Sequence, residues 1–242
     1  MEFYQDLSRY YEDIFPLRED KINLVREYIS SNGKVLDIGC STGELAIDLS
    51  QLGFKLDGMD LNERMVEKAR NKAQSLKEPP EFKIGDMRNL KELYQPGFDG
   101  IICFGNTIVH LTDLEEIEDF FGQIYDLLDE GGYFIFQIVN YDRILDKNID
   151  YLPTINNEEK NLKFYRYYDF DKDKHLIYFK TRLIKDDQEI KHQIPLYPLR
   201  KKEISDIADK IGFDQIKYYG SFKLTEYDSE NSMPLIGVLQ KT

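Results

Sequence analysis

The sequence predicts an α/β protein built on a doubly wound, mostly parallel sheet, with an antiparallel β meander inserted late in the chain. Three observations point there. Short apolar runs alternate with helical stretches between residues 34 and 139, the spacing of successive strand–helix units. The pattern then changes to neighbouring runs rich in Tyr, Phe and Ile, joined by brief charged turns, which marks antiparallel pairing. A length of 242 residues suits one domain with an elaboration better than two independent domains.

The elements follow in order. A helix is expected over 19–31, with Ile22, Val25 and Ile29 on one face and Asn32-Gly33 as its stop. Lys34–Ile38 reads as a buried strand, Gly43–Leu52 as a helix ended by Gly53, and Phe54–Met59 as the second strand. Asn62 caps a helix running to Leu76, and Glu81–Ile84 and Phe98–Phe104 are the third and fourth strands. Thr112 with Glu115 forms a capping box for a helix to Leu128, stopped by Gly131, before a fifth strand at Tyr133–Val139. Residues 163–170, 175–185 and 189–197 form the meander, with turns at Asp171–Lys174 and Asp186-Asp187. A helix over 201–211, stopped at Gly212, and strands at 213–220 and 233–240 return to the main sheet.

Composition excludes several functions. With 32 Lys+Arg against 45 Asp+Glu, a net charge of −13 argues against a nucleic-acid substrate, whose phosphates need a basic surface. No apolar stretch reaches the length of a membrane span, and the start MEFYQDLSRYYEDIF has neither the basic nor the apolar region of a signal peptide. Cys40 and Cys103 are far apart and the three histidines are scattered, so a reducing cytoplasm and no metal site are expected.

The chemistry lies at the ends of the first three strands. Asp37-Ile38-Gly39-Cys40-Ser41-Thr42-Gly43 is strand, tight turn and helix start, where glycines admit a ligand to the backbone and the helix offers free N–H groups. Asp37, two residues before the first glycine, would repel a pyrophosphate and favour a cationic ligand. Asp60 ends the second strand, where an acid grips ribose hydroxyls. Asp86 follows the third; it can accept from an exocyclic amine while Met87 packs on a flat ring. Singly, each acid could be a helix cap or a solvated loop residue. Together they describe a ligand with a ribose, an aminated base and a positive charge: S-adenosylmethionine.

VLDIGCSTGELA, GMDLNERMVEKAR, GDM, FDGIICFGN and LLDEGGYFIF resemble, in order, the motifs of the class I S-adenosylmethionine-dependent methyltransferases. Ser41 stands where that family usually has glycine. CFGNTIVHL and Asn140–Leu145 resemble the corresponding segments of the glycine/sarcosine N-methyltransferase family, as do Leu196-Tyr197-Pro198, Gly220–Lys223 and the terminal LQKT. The resemblance implies a Rossmann-like sheet with an antiparallel last strand, a methyltransferase domain of residues 1–140 and 198–242, and an inserted β lid of 141–197. It implies transfer of a methyl group to the nitrogen of a small-molecule amine. Oxygen transfer, an amino-sugar acceptor and a non-catalytic cofactor-binding role stay open, as does oligomeric state.

Carried across, Asn106 and His110 face the methionine end of the cofactor and the acceptor, and Tyr197 lines the acceptor pocket. Arg18 clamps the cofactor carboxylate, with Tyr10 and Tyr11 closing over that end. Gly39, Ser41, Gly43, Leu61 and Phe104 complete the cofactor set with Asp37, Asp60, Asp86 and Met87. One position departs: glycine-using relatives place an arginine where this chain has Val139, so glycine is expected to be a poor acceptor. Arg166, Tyr165, Tyr168, His192 and Arg200 are the lid residues that could supply other contacts.

Overall fold

Gly33 closes a turn directly before one strand and Gly53 ends a helix shortly before the next, and each following apolar run pairs in parallel because a helix returns the chain across the sheet. The computed structural model, which describes residues 2–186 and 188–242, begins with two short helices, α1 (Glu2–Leu7) and α2 (Tyr11–Ile14). Then come α3 (Glu19–Tyr28), β1 (Lys34–Ile38), α4 (Glu44–Gln51), β2 (Lys55–Asp60), α5 (Glu63–Ala73), β3 (Glu81–Ile84) and α6 (Leu90–Leu93). β4 (Phe98–Cys103), α7 (Leu114–Leu127), β5 (Leu128–Val139) and α8 (Tyr141–Asp146) follow. The insertion holds β6 (Tyr151–Asn157), β7 (Leu162–Asp171), β8 (Leu176–Lys185) and β9 (Gln188–Leu196). The chain closes with α9 (Lys201–Ile211), β10 (Gln215–Tyr219) and β11 (Pro234–Gln240).

The main sheet has the order β10-β11-β5-β4-β1-β2-β3. Its β1 to β5 pairs are parallel, and β11 runs antiparallel to both β5 and β10. The four inserted strands form their own antiparallel sheet in sequence order. One face of the main sheet is covered by α6, α7 and α9, whose Phe120, Phe121 and Ile204 join Phe134 and Phe136 in a core that continues to Tyr168 and Ile177 of the inserted sheet. The other face is covered by α3, α4 and α5. Leu7 and Ile14 of the N-terminal helices meet Leu162, Phe164 and Leu183 of the inserted sheet in a separate small core. No helix among the described residues is long and apolar enough to cross a membrane.

Several boundaries differ from expectation. The cap of α7 is Asp113, whose side chain accepts from Glu115 N, not Thr112. The helix ends at Leu127 and passes straight into β5, so Gly131 is not its stop; its N–H donates to Lys241 O inside an irregular strand start. α3 ends at Tyr28 and α5 at Ala73, short of the expected 31 and 76. β6 is an unexpected fourth strand: Pro153 weakens its signal, and an edge position tolerates the missing donor. α1, α2 and α8 have too few turns for a periodic signal and depend on tertiary packing. Asp187 of the expected Asp186-Asp187 turn lies outside the described residues.

Candidate active site

β1 and β4 lie side by side, while the chain leaves β1 toward β2 on the opposite flank. Loops after such a pair diverge and open a crevice at the carboxyl edge, the usual ligand position in a doubly wound sheet. A cleft of about 750 Å³ occupies it here. Its floor is Gly39, Ser41, Gly105, Thr107 and His110, and its sides come from Met59–Met65 and Ile84–Met87. Tyr4, Tyr11, Ile194 and Pro195 close it from above.

The backbone at the floor is specialised. Gly39 has φ +72°, and a Cβ there would stand 2.7 Å from Thr107 Oγ1, so any side chain would drive the two floor loops apart. Ser41 takes φ +53°, a conformation unusual for a residue with a Cβ. It is held because its N–H donates to Asp60 Oδ2 at 2.9 Å. Asn62 N–H donates to the other oxygen of Asp60 at 2.8 Å. These two bonds lower the Asp60 pKa while burial raises it further, and the net is a carboxyl above its ordinary range. Asp60 thus locks the glycine turn and presents its remaining lone pairs to the cleft.

On the side wall, Leu61 and Ile84 are exposed, at 52% and 42%, although both are apolar. With Met87 they form a greasy slot fitted to a flat ring. Asp86 stands at its mouth, bonded by Arg88 through Nη2 at 2.5 Å, which holds the carboxyl below its usual range.

At the far end, His110 Nε2 and Tyr4 Oη are hydrogen-bonded at 2.7 Å. Burial lowers the imidazole pKa to about 4, so the ring is neutral at pH 7. Burial pushes the neighbouring Tyr11 phenol up to about 12.

Residues 35–132 match the family described as a methyltransferase domain. A glycine/sarcosine N-methyltransferase of Aphanothece halophytica is 29% identical over 81% of this chain and 72% of its own length. The methyltransferase CcbJ of Streptomyces caelestis superposes with a TM-score of 0.83 at 19% identity, covering 98% of this chain and 96% of the other. The chain carries an S-adenosylmethionine-dependent methyltransferase domain. A sugar N-methyltransferase, KedS8 of Streptoalloteichus, shares the fold with a TM-score of 0.69 at 16% identity, over 99% and 93% of the two chains.

Within this methyltransferase, the cleft gathers Tyr11, Gly39, Ser41, Asp60, Leu61, Asp86, Met87 and His110 from the expected set. Gly43 and Phe104 stand behind it. Gly43 begins α4 at φ +77°, pressed against Ala69 and Phe82. Phe104 is buried against Phe222, whereas Gly105, Thr107 and His110 of that loop reach the cleft. Asp37 is buried beneath the turn, and burial raises its pKa to about 7.

Four expected residues are placed elsewhere. Arg18 is exposed, paired with Asp20 at 2.5 Å, and lines a separate surface groove of about 560 Å³ with Phe222 and Lys223. One helical turn on, Lys21 is directed inward. Burial lowers its pKa, partly offset by Asp37, and its ammonium sits 5.7 Å from the Phe222 ring. Asn106, at φ +68°, spends its side chain internally: Nδ2 donates to Tyr141 Oη at 3.0 Å and Oδ1 accepts from Val139 N at 2.9 Å. It is a brace between the ends of β4 and β5. Tyr197 donates to Glu203 at 2.7 Å and packs against His175, so it joins the inserted sheet to α9 rather than lining the cleft. Tyr10 packs in the small core of the N-terminal helices.

Tyr4 and Ile84 line the cleft, and Lys21 lies within reach of the charge of Asp37; sequence reasoning missed all three. Lys21 carried a signal: it precedes Leu24 and Val25, the buried residues of α3, by three and four positions, which puts it on their face. Tyr4 carried none, because its position depends on packing against the inserted sheet.

Proposed function

We propose that this methyltransferase transfers the methyl group of S-adenosylmethionine to the nitrogen of a small-molecule amine. The observation that carries the reading is the buried His110, held neutral and weakly basic near pH 7 with Tyr4 as its hydrogen-bond partner. An imidazole with its pKa near 4 is too weak a base to take a proton from an alcohol. It does suffice to orient an amine, which attacks with its own lone pair and needs no base in the transition state. The dry surroundings that suppress ionisation of His110 also favour the uncharged, nucleophilic form of an amine.

The residues present fit the cofactor, which when bound supplies the activated methyl group. Asp60 would accept from the ribose hydroxyls. Leu61, Ile84 and Met87 would sandwich the adenine, with Asp86 at its amino edge. Asp37 would face the ammonium of the methionine end, and Lys21 its carboxylate, the role expected of Arg18. Gly39 and Gly105 let the ligand approach the backbone, and Tyr4 and Tyr11 exclude water above it. What remains for catalysis is alignment and dryness.

Residues 141–197 act as the lid over the domain formed by 1–140 and 198–242. The glycine/sarcosine N-methyltransferase of Aphanothece supports an amine acceptor, and KedS8 supports including amino sugars among the amines tried. The test is incubation with S-adenosylmethionine labelled in its methyl group and a panel of amines, amino sugars, alcohols and carboxylic acids. Label on an amine nitrogen is expected. Label appearing on alcohols in preference to amines would overturn the reading.

A further inference from the structure

Alternation along the lid strands decides which residues face the rest of the molecule. Leu162, Phe164 and Tyr168 of β7 are buried, whereas Lys163, Tyr167 and Asp169 between them are exposed. Arg166 has the inward parity. The register sets Thr181 of β8 directly beside it, and His192 of β9 beside Thr181. A polar row therefore crosses an otherwise apolar surface, flanked by Phe164–Leu183 on one side and Tyr168–Phe179 on the other.

The other lid candidates are committed. Arg200 is bonded to Asp142 and Asp146. Tyr165 has the outward parity and lies under Arg182, which pairs with Glu189. His192 meets Asp6 at 3.1 Å. Arg166 differs. Its Nη2 donates to Pro153 O at 2.6 Å, but its Nε is buried with no hydrogen-bond partner. Among the described residues its guanidinium forms no ion pair. An inward guanidinium without a counter-charge is costly, so a fold that keeps one points to an anion from outside.

Its neighbours fix where it stands. Phe164 packs on Phe15, centroids 5.9 Å apart, and Phe15 on Tyr11, which lines the cleft. Tyr168 packs on Tyr141, 6.4 Å away, and Tyr141 is bonded by Asn106, next to Gly105 of the cleft floor. Arg166 lies between Phe164 and Tyr168 on β7, between a contact that leads to the roof of the cleft and one that leads to its floor. We infer that Arg166 is a specificity residue that grips a carboxylate at the far end of the methyl acceptor, its planar fork of N–H groups matching the two carboxylate oxygens. This rests on the small-amine reading given above.

The experiment uses the full chain and matched acceptors: amino carboxylic acids of increasing length and the carboxamide of each. Binding to protein saturated with S-adenosylhomocysteine is measured together with turnover, for wild type, Arg166→Gln and Arg166→Lys. The wild type should prefer the acid to its amide at one length or more. Arg166→Gln should weaken the acid about 10–100-fold and leave the amide and S-adenosylhomocysteine within about twofold, while Arg166→Lys keeps part of the preference. Arg166→Gln should also melt no lower than the wild type, because it removes an unpaired charge. Should Arg166→Gln fail to fold, the Arg166→Lys ratio of acid to amide decides.

An equal preference for acid and amide at every length, or an equal loss of both in the variants, would overturn the carboxylate grip even if amines are methylated. Acids that bind through Arg166 without any methylation of amine nitrogen would instead overturn the small-amine reading and leave the grip standing. No binding of any acid overturns the grip.

Discussion

Asp37 should make cofactor binding a proton-release event. The carboxyl is fully enclosed, burial raises its pKa from 3.8 to about 7, and the nearby Lys21 only partly opposes that rise. Without ligand it is therefore about half protonated at pH 7. An ammonium brought within about 4–6 Å lowers a carboxyl pKa by about 1–3 units, so the complex should hold Asp37 ionised down to about pH 5. Release should peak near pH 6, at about 0.8 proton per site, fall to about half a proton at pH 7, and vanish above pH 9. Calorimetry with S-adenosylhomocysteine in two buffers of different ionisation enthalpy reads this number directly. The stability of the free protein follows the same group. Because the folded pKa lies above the unfolded one, its contribution is fully present below about pH 4 and is lost as pH rises through 7. Ionising Asp37 in the fold then costs about 4 kcal/mol. Asp37→Asn should abolish the release and make the free protein more stable than the wild type at pH 8, with little difference at pH 4. No proton released by the wild type at pH 6, or as much by Asp37→Asn, would refute the placement of the ligand ammonium beside this carboxyl.

Three further outcomes are expected. Asp60→Ala should cost about 2–4 kcal/mol of S-adenosylhomocysteine affinity by calorimetry, and a melt should show lost stability too, since Ser41 N and Asn62 N lose their acceptor. Tyr4→Phe should lower kcat about 3–10-fold with the cofactor KM within about threefold, because only the hydroxyl on His110 is removed. Glycine should be a poor acceptor by kcat/KM against longer amines, since Val139 offers no charge at the end of β5.

The main sheet was legible because its punctuation is local. Gly212 ends α9 where expected, in a left-handed cap, and Asn62 caps α5 through its side chain. The cofactor end of the cleft was legible for the same reason: Gly39, Asp60 and Asp86 sit at strand ends, and a strand end in a parallel sheet has one place to be. The acceptor end was not. Asn106 and Tyr197 match the motifs of relatives, but Tyr141 and Glu203, distant or on another element, claim their polar atoms. Arg18 and Lys21 differ by helical phase, which a start misplaced by one residue would hide. Tyr4 is brought over the cleft by packing between α1 and a sheet that begins some 150 residues later in the chain.

That packing has a consequence for synthesis. Leu7 and Ile14 leave the ribosome long before their partners Leu162, Phe164 and Leu183 are translated. At about 5–20 residues per second the wait is roughly 10–30 s, and helices this short do not persist alone in water. Meanwhile β1, β2 and β4 can pair and form the turn at Gly39. This early segment is thus among the last to find its place, and the roof over the cleft is laid only after its floor is complete.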